Sequence, residues 1–600
     1  MKSDPTFLGA VRRVIGAKLL IELSPEILSE NPIINGRLYK LGQIGSFVRI
    51  PLGFLNLFAI VSMVGASEFV IQPGTDYPAT LPSGQRWMEA QLVGEAYAAG
   101  PFERGVSVFP TLDDEVHAVT EADLAVIYAG NASAPIEVGV QSGSENLPAT
   151  IDIEKLVTRH GAILGSTGSG KSNTVAAMLK ALSAGGYPSA RVVVIDPHGE
   201  YGSAFDGISK IFRIGSTSDP LLIPYWTMSF DELGWFFINR AGASESLQEA
   251  AFRSRVFDLK KDACQKLKSG VVADSEITVD SPIPFSIRDL WYHFDRQERA
   301  TFSDGQCTTE MLIHEGDAAT LTSAVFQPYS PTNTAPFRNK AAIGIASHMA
   351  KLHARLKDKR FNFLCQPGKF DGENCDLGDL AAEWIGHNHP LTIFDLAGVP
   401  SEVTDLVVAL ISRILFEVSF WGRTLPGIGK RGPLLVIFEE AHLYLPRGDG
   451  ARFLQGYARR AVQRLFKEGR KYGVGGIVVS QRPSELDETI LAQCGTFLAL
   501  RLSTPEDQTR VKAIVPDALS GLLDILPALR TGEAVVMGEA VTIPSRIKLP
   551  LVDPRPRSDD PEVGKRWKEA RVENPKFDEA VSGWRVQEEA KEKASETEKE

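Results

Sequence analysis

Apolar positions along the chain follow two rhythms. Through the first 145 residues they come in short runs, KLLIEL, GQIGSFVRI, LFAIVSMVG, GVSVF and PIEVGV, punctuated by Gly, Pro and Asn. Brief β-rich runs at such spacing predict a small barrel or sandwich. From HGAILG onward, strand alternates with helix. AILG leads into a predicted helix with Val175, Met178, Leu179 and Leu182 on one face, closed by Gly185 and Gly186. RVVVIDPHGEY reads as a second buried strand. LTIFDLAG precedes a helix in which Val403, Leu406, Val407, Leu410, Ile411 and Ile414 recur at helical spacing, and LLVIF, GGIVVS and TFLALRL complete the series. Near-continuous apolar strands separated by helices predict a parallel sheet covered on both faces.

The alternation lapses between residues 226 and 385, where polar helical stretches such as ESLQEAAFRSRVFDLKKDACQKL predict a helical insertion. GEAVVMGEAV reads as a hairpin turning at Gly538-Glu539. Beyond residue 553 the chain is rich in Lys and Glu, as expected of an exposed helix or a disordered tail. The expected division is 1–145 barrel, 146–225 first part of the core, 226–385 insertion, 386–553 second part of the core, and 554–600 tail.

Composition changes this picture little. Six hundred residues exceed one ordinary core. The five cysteines stand apart, with no CxxC pair, so neither a disulfide framework nor a zinc site is expected, and a reducing cytoplasm is the natural setting. PLGFLNLFAIVSMVGASEFV is interrupted by Asn56 and Gly65 and reads as barrel strands, not as a membrane span. The net charge of −11 excludes a generic basic coat for nucleic acid but leaves room for a local basic channel.

Chemistry enters at two strand ends. Gly165-Ser166-Thr167-Gly168-Ser169-Gly170-Lys171-Ser172 matches G-x-x-x-x-G-K-[ST], after an apolar strand and before an amphipathic helix, as the motif's mechanics require. Backbone N–H groups and the helix N-terminus would cradle phosphates, Lys171 would reach the β- and γ-phosphates, and Ser172 would ligate Mg²⁺. LLVIFEEAH ends a second buried strand in paired carboxylates, whose desolvation calls for a cation or a proton to manage. Glu439 is assigned to the metal and Glu440 to the attacking water. Gln481, ending GGIVVSQ, is a neutral amide able to sense the γ-phosphate or position water. Asp196 is a candidate for ordering the metal's water shell, whereas His198 and His160 read as structural hydrogen-bonders.

TRHGAILGSTGSGKSNT, VVVIDPHGEY, LLVIFEEAHLYLP and GRKYGVGGIVVSQRPSELD together resemble the HerA branch of the HerA–FtsK translocase superfamily, and GRLYKLGQIGSFVRIP with IEVGVQS is similar to that branch's N-terminal HAS-type barrel. The resemblance implies an α/β P-loop ATPase core of RecA/FtsK type with an N-terminal β-barrel and a helical insertion. It implies a homohexameric ring that uses ATP and Mg²⁺ to pump double-stranded DNA through its channel. Residues 165–172 and the following Asn173 would bind nucleotide, Glu440 would be the catalytic acid and Gln481 the sensing amide. Arg159 matches a family position near the nucleotide, and many members have Asp where Glu439 stands. Such rings complete each site with an arginine from the adjacent subunit. In ARFLQGYARRAVQRLFKEGRKYG the candidates are Arg470 first and Arg464 second, on a helix with Leu454, Tyr457, Ala461 and Leu465 as its apolar side; Arg447 and Arg452 in the preceding loop are alternatives that would face a neighbour or the channel.

Two functions follow from the resemblance. One is a DNA translocase or helicase working with an effector in end processing or anti-phage defence. The other is a ring-shaped scaffold that assembles and regulates a NurA-type nuclease or a sirtuin-like effector docked on the barrel, with little pumping of its own. A conjugation-type ATPase would be expected to have a membrane anchor, and LSGLLDIL is not an ABC signature.

Overall fold

The computed structural model describes residues 4–24, 33–34, 37–38, 44–66, 86–98, 100–128, 133–142, 147–184, 186–238, 246–329, 331, 334–448, 456–514, 520–557, 563–569 and 576–586. They form two compact units. One comprises Met1–Ile211, Asn388–Ala397 and Ser412–Ser558; the other comprises Phe212–His387, Gly398–Ile411 and Asp559–Glu600.

The first unit begins with the barrel strands β1 (Phe7–Ile15), β2 (Lys18–Leu23), β3 (Phe47–Leu52), β4 (Leu55–Ala66), β5 (Arg86–Tyr97), β6 (Phe102–Arg104) and β7 (Glu115–Ala118). Their order is β2-β1-β7-β3-β4-β5-β6, and β2 also pairs with β5, so six strands close and β6 hangs on the outside. Closure removes the free edges that an open sheet would present. Inward positions such as Val11, Ile21, Ile50, Leu57, Val61 and Met88 fill the interior. GVSVF forms no strand; β6 lies just before it and Val108 and Phe109 are exposed. The run PIEVGV is β8 (Pro135–Gln141), and it joins the larger sheet instead of the barrel.

That larger sheet adds β9 (Pro148–Asp152), β10 (Gly161–Leu164), β11 (Val192–Asp196), β12 (Ser209–Arg213), β13 (Leu391–Asp395), β14 (Leu434–Phe438), β15 (Val474–Ser480), β16 (Thr496–Ala499), β17 (Glu533–Gly538) and β18 (Ser545–Lys548). The order is β9-β8-β18-β17-β16-β10-β15-β14-β11-β13-β12. Strands β16, β10, β15, β14, β11 and β13 pair in parallel. Their carboxyl ends therefore share one edge, the place where open α/β sheets bind ligands. Strands β17 and β18 are antiparallel, but the link runs from 539 to 544, so the tight turn read at Gly538-Glu539 is a longer connection whose Ala540 and Val541 enter the core.

Helices α1 (Glu121–Tyr128), α2 (Ile153–Arg159) and α3 (Lys171–Ala184) belong to this unit. Helix α3 buries Val175, Met178, Leu179 and Leu182, the predicted face. Two glycines bring helices close to the sheet: a Cβ on Gly475 would stand 2.1 Å from the Val157 carbonyl oxygen of α2, and one on Gly476 would stand 2.5 Å from the Phe466 ring.

The second unit contains α4 (Leu247–Cys264), α5 (Ile287–Arg299), α6 (Ala346–Lys357) and α7 (Leu377–Ile385), with short strand pairs among them. Capping boxes at Ser246/Glu249 and Asp376/Asp379 start α4 and α7, satisfying N–H groups that a helix start leaves open. Phe252, Trp291, Phe294 and Leu352 are buried. Lys260 is wholly buried and donates to the carbonyls of Val279 and Ser281, each at 2.7 Å. Helix α8 (Thr404–Trp421) buries Leu406, Val407, Leu410, Ile411 and Ile414 as its spacing predicts. The charged tail has short helices at Val563–Arg566 and Phe577–Val586, and residues 587–600 lie outside the described residues.

Candidate active site

The phosphate loop joins β10 to α3 on the shared carboxyl edge. Gly168 and Gly170 take φ of +71° and +102°, a region open mainly to glycine. A Cβ on Gly165 would stand 2.6 Å from Ser169 Oγ and 2.8 Å from Leu500 Cβ. Each glycine thus answers to backbone shape or to a close approach. Ser166 Oγ accepts from the Ser503 N–H at 3.0 Å, whereas Ser169 Oγ is buried with no hydrogen-bond partner.

Lys171 begins α3 with only 7% of its surface exposed. Burial lowers its pKa, against the opposing pull of Glu440, Glu439 and Glu200. A desolvated ammonium gains from meeting an anion, and a cation beside the carboxylates would offset their repulsion of it.

Strand β14 delivers the paired acids. Tyr444 Oη donates to the Glu439 carbonyl at 2.7 Å and fixes the bend. Glu439 is 2% exposed. Burial first, and then Glu440 and Asp196, push its carboxyl well above the usual range. Glu440 sits at φ +45°, ψ +46°, a strained conformation for a residue with a side chain. Burial would raise its pKa, but His442, Lys171 and Gln481 outweigh that and hold it below the usual value. His442 Nδ1 stands 3.3 Å from Glu440 Oε2 and 3.3 Å from Ser480 Oγ.

Gln481, at the end of β15, bridges loop and acid. Its Nε2 donates to Glu440 Oε1 at 2.5 Å, and its Oε1 accepts from Thr167 Oγ1 at 2.5 Å. The phosphate loop, the amide and the carboxylate are thereby brought together.

Glu200 is a residue that motif reading misses. It accepts from Ser172 Oγ at 2.8 Å, beside the hydroxyl expected at the metal. The loop that presents it is closed by Asp196, which accepts from the N–H groups of His198, Gly199 and Tyr201 at 3.3, 2.9 and 3.0 Å. Asp196 is fully buried, and burial raises its pKa to about 6. Its oxygens both accept from the loop, and it is Glu200, not Asp196, that contacts the Ser172 hydroxyl. The only hint in the sequence was an acid four residues beyond a strand end on this edge.

Several expected residues make other contacts. Asn173 donates to the Pro550 carbonyl at 2.9 Å and accepts from the Val552 N–H at 3.0 Å, so its amide holds the segment after β18 against α3. His160 Nδ1 accepts from the Gly476 N–H at 3.0 Å, and burial lowers its pKa to about 4, a structural role. His198 is exposed. Arg159 ends α2, at the opposite end of β10 from the phosphate loop, with its Nε 3.3 Å from Glu539 Oε2. Four residues of strand separate Arg159 from its own loop by roughly 13 Å.

Helix α9 (Tyr457–Glu468) buries Ala458, Val462, Leu465 and Phe466, so its inner side is rotated from the Tyr457–Ala461–Leu465 stripe read from the sequence. Arg464 is committed within the unit: Nη1 reaches Glu417 Oε1 at 2.5 Å and the guanidinium lies 4.6 Å from the Phe416 ring centre. Arg470 instead borders an open cleft of about 600 Å³ together with Arg159, Lys155 and Lys430. Arg447 pairs with Glu488 at 2.8 Å. Arg452 and Leu454 lie outside the described residues.

The donor set fits a nucleotide with a hard divalent cation. Among the described residues Glu439 Oε2 is buried with no hydrogen-bond partner and Glu440 Oε2 meets only His442 Nδ1, at 3.3 Å; buried carboxylate oxygens left so are costly unless a cation or its water meets them. Ser172 Oγ and the Glu200 carboxylate complete an all-oxygen set of the kind Mg²⁺ prefers.

The family described as "Helicase HerA, central domain" matches residues 136–415, and "Helicase HerA-like C-terminal" matches 412–595. The "DNA double-strand break repair helicase HerA" of Sulfolobus acidocaldarius is 24% identical over 79% of this chain and 80% of its own. That of Pyrococcus furiosus is 26% identical over 75% and 73%. Among solved structures, the bacterial conjugative coupling protein TrwBΔN70 is similar with a TM-score of 0.40 and 15% identity, over 74% of this chain and 94% of that one. The chain is a P-loop ATP hydrolase and belongs to the HerA helicase family.

Proposed function

We propose that this protein is an ATP-driven translocase of double-stranded DNA that works as a homohexamer. The observation that carries the reading is the split of catalytic equipment between two edges of one sheet. Phosphate loop, acids and amide share the carboxyl edge, while Arg159 and Arg470 share a cleft where the strands begin. A head-to-tail ring joins such complementary edges.

In this reading Lys171 grips the β- and γ-phosphates, and the loop N–H groups and the α3 N-terminus hold the chain of anions. Ser172 Oγ and Glu439 would hold Mg²⁺, with Glu200 orienting its water shell; bound there, Mg²⁺ spreads the charge of the phosphates. Glu440, kept ionised by its neighbours, accepts a proton from the attacking water. Gln481 turns from Glu440 and Thr167 toward the γ-phosphate and so reports its presence. Arg470, with Arg159, neutralises charge on the γ-phosphate of the adjacent copy. Arg464 is the weaker candidate because Glu417 already holds it. Among the described residues no helix is long and apolar enough to cross a membrane, and the cysteines are free, which supports a reducing cytoplasm as the place of work.

An effector scaffold is the second reading. Phe54 is 84% exposed, and Tyr97, on the strand paired to the neighbouring Leu55, is 63% exposed, so one end of the barrel offers two aromatic anchors. A NurA-type nuclease or a sirtuin-like protein, in end processing or anti-phage defence, is the class of partner proposed for it.

The test is ATP hydrolysis by the full chain with and without linear duplex DNA, alongside native mass measurement. A hexamer stimulated by duplex supports translocation. Hydrolysis indifferent to DNA, but responsive to an effector, supports the scaffold.

A further inference from the structure

Two concavities meet along the edge where the parallel strands of the large sheet begin. The first, of about 600 Å³, is bordered by Lys155, Arg159, Lys430 and Arg470, with Glu154 and Glu539. Arg159 is paired with Glu539, whereas Lys155, Lys430 and Arg470 have no ion pair among the described residues. The second, of about 400 Å³, is walled mainly by Ile153, Leu182, Tyr187, Pro188, Pro433 and Leu435, and also by Arg191, whose Nη1 donates to the Gly427 carbonyl. Glu154, Val157, Thr158 and Pro433 border both. The two are therefore one trough, cationic at one end and apolar with an aromatic ring at the other.

A nucleoside triphosphate divides its chemistry in the same way, into a polyanionic chain and a flat base. Pockets of about 300–1,000 Å³ with apolar walls and a few charged groups are the usual size and make of small-ligand sites. The trough opens on the edge opposite to its own chain's phosphate loop, so it does not serve that loop.

We propose that the trough receives the nucleotide held by the phosphate loop of a second copy of this chain. Arg159, Lys430 and Arg470 face its phosphates, and the apolar end takes its purine base, with the Tyr187 ring against the base. This rests on the composite-site reading above and extends it from the γ-phosphate to the base. The adjacent copy then senses both ends of the nucleotide, and opening of the contact weakens affinity as well as catalysis.

Full-length protein assembled with Mg²⁺ and 8-azido-ATP is irradiated and the labelled peptides are mapped. Mixed assemblies combine Lys171→Ala chains, which keep the trough but lose their own phosphate grip, with Tyr187→Ala chains. Label is expected in the 186–192 segment of the Lys171→Ala chains. Tyr187→Ala alone is expected to raise KM for ATP about tenfold with kcat changed less than about twofold, and Tyr187→Phe to restore KM. Label confined to 165–173 or 549–554 of the chain that owns the phosphate loop, with KM unchanged by Tyr187→Ala, overturns the proposal. That outcome leaves the composite site standing, because its own signature is the kcat lost with Arg470.

Discussion

Gln481 donates to the carboxylate of Glu440 at 2.5 Å, so the amide and the acid at the ends of adjacent parallel strands β15 and β14 form one hydrogen-bonded unit. The same amide accepts from Thr167 in the phosphate loop. In the proposed reading, a γ-phosphate entering the loop would compete for that amide and so couple arrival of substrate to release of Glu440.

Changing either partner should therefore reduce turnover without abolishing binding. Glu440→Gln is expected to lower kcat by about 10³-fold, and Gln481→Ala by about 10²-fold. Retention of a fluorescent ATP analogue checks that the nucleotide still binds.

Glu200 accepts from Ser172 Oγ, the hydroxyl proposed for the cation. Glu200→Ala should raise the Mg²⁺ concentration for half-maximal ATPase by about tenfold, with Glu200→Gln intermediate, as expected of a group that orients a metal's surroundings. A Mg²⁺ titration at saturating ATP reads this. An unchanged midpoint would return Glu200 to a role in folding the loop alone.

Glu439 predicts a pH dependence of stability. Its carboxyl is held above the ordinary value of 4.5, so the fold favours the protonated form. The stabilisation is full below that ordinary value and is lost as pH rises through the raised one. Thermal melts of Mg²⁺-free protein should show stability falling across that window, and Glu439→Gln, which cannot ionise, should show a shallower fall. Added Mg²⁺ should protect the native protein at high pH and protect Glu439→Gln less.

Gly475 carries packing with no chemistry. A Cβ there meets the Val157 carbonyl at 2.1 Å, backbone against backbone, so relief requires α2 to move. Gly475→Ala is expected to lower Tm by about 5 °C, in line with overpacking costs. Because α2 also carries Arg159, ATPase should fall more than stability alone explains.

Much of the site was legible because its chemistry is local in sequence. The phosphate loop is one contiguous motif, Glu439 and Glu440 are adjacent, and Gln481 marks the end of an apolar run. Helical spacing likewise located the inner faces of α3 and α8. What was illegible depends on distant pairing. PIEVGV joins the large sheet only because Val140 and Gln141 meet Lys548 and Ile547. Strand β5 hides behind RWMEAQLVGEAY, whose Gln91 and Glu95 are buried polar residues that break the alternation. Glu200 reaches Ser172 because Asp196 folds the intervening loop, and no motif encodes that. The pairing of Arg464 with Glu417, 47 residues away, is likewise a contact that no motif encodes.

Each ATP site is proposed to be shared by two copies of the chain. Mixing Lys171→Ala with Arg470→Ala protein, each inactive alone, tests it most directly. Sites pairing the intact phosphate loop of one variant with the intact arginine of the other should restore up to about a quarter of wild-type DNA-stimulated ATPase in an equimolar random ring. If the mixture forms rings and hydrolyses no more ATP than either variant alone, the arginine does not act across the interface and the sites are not shared.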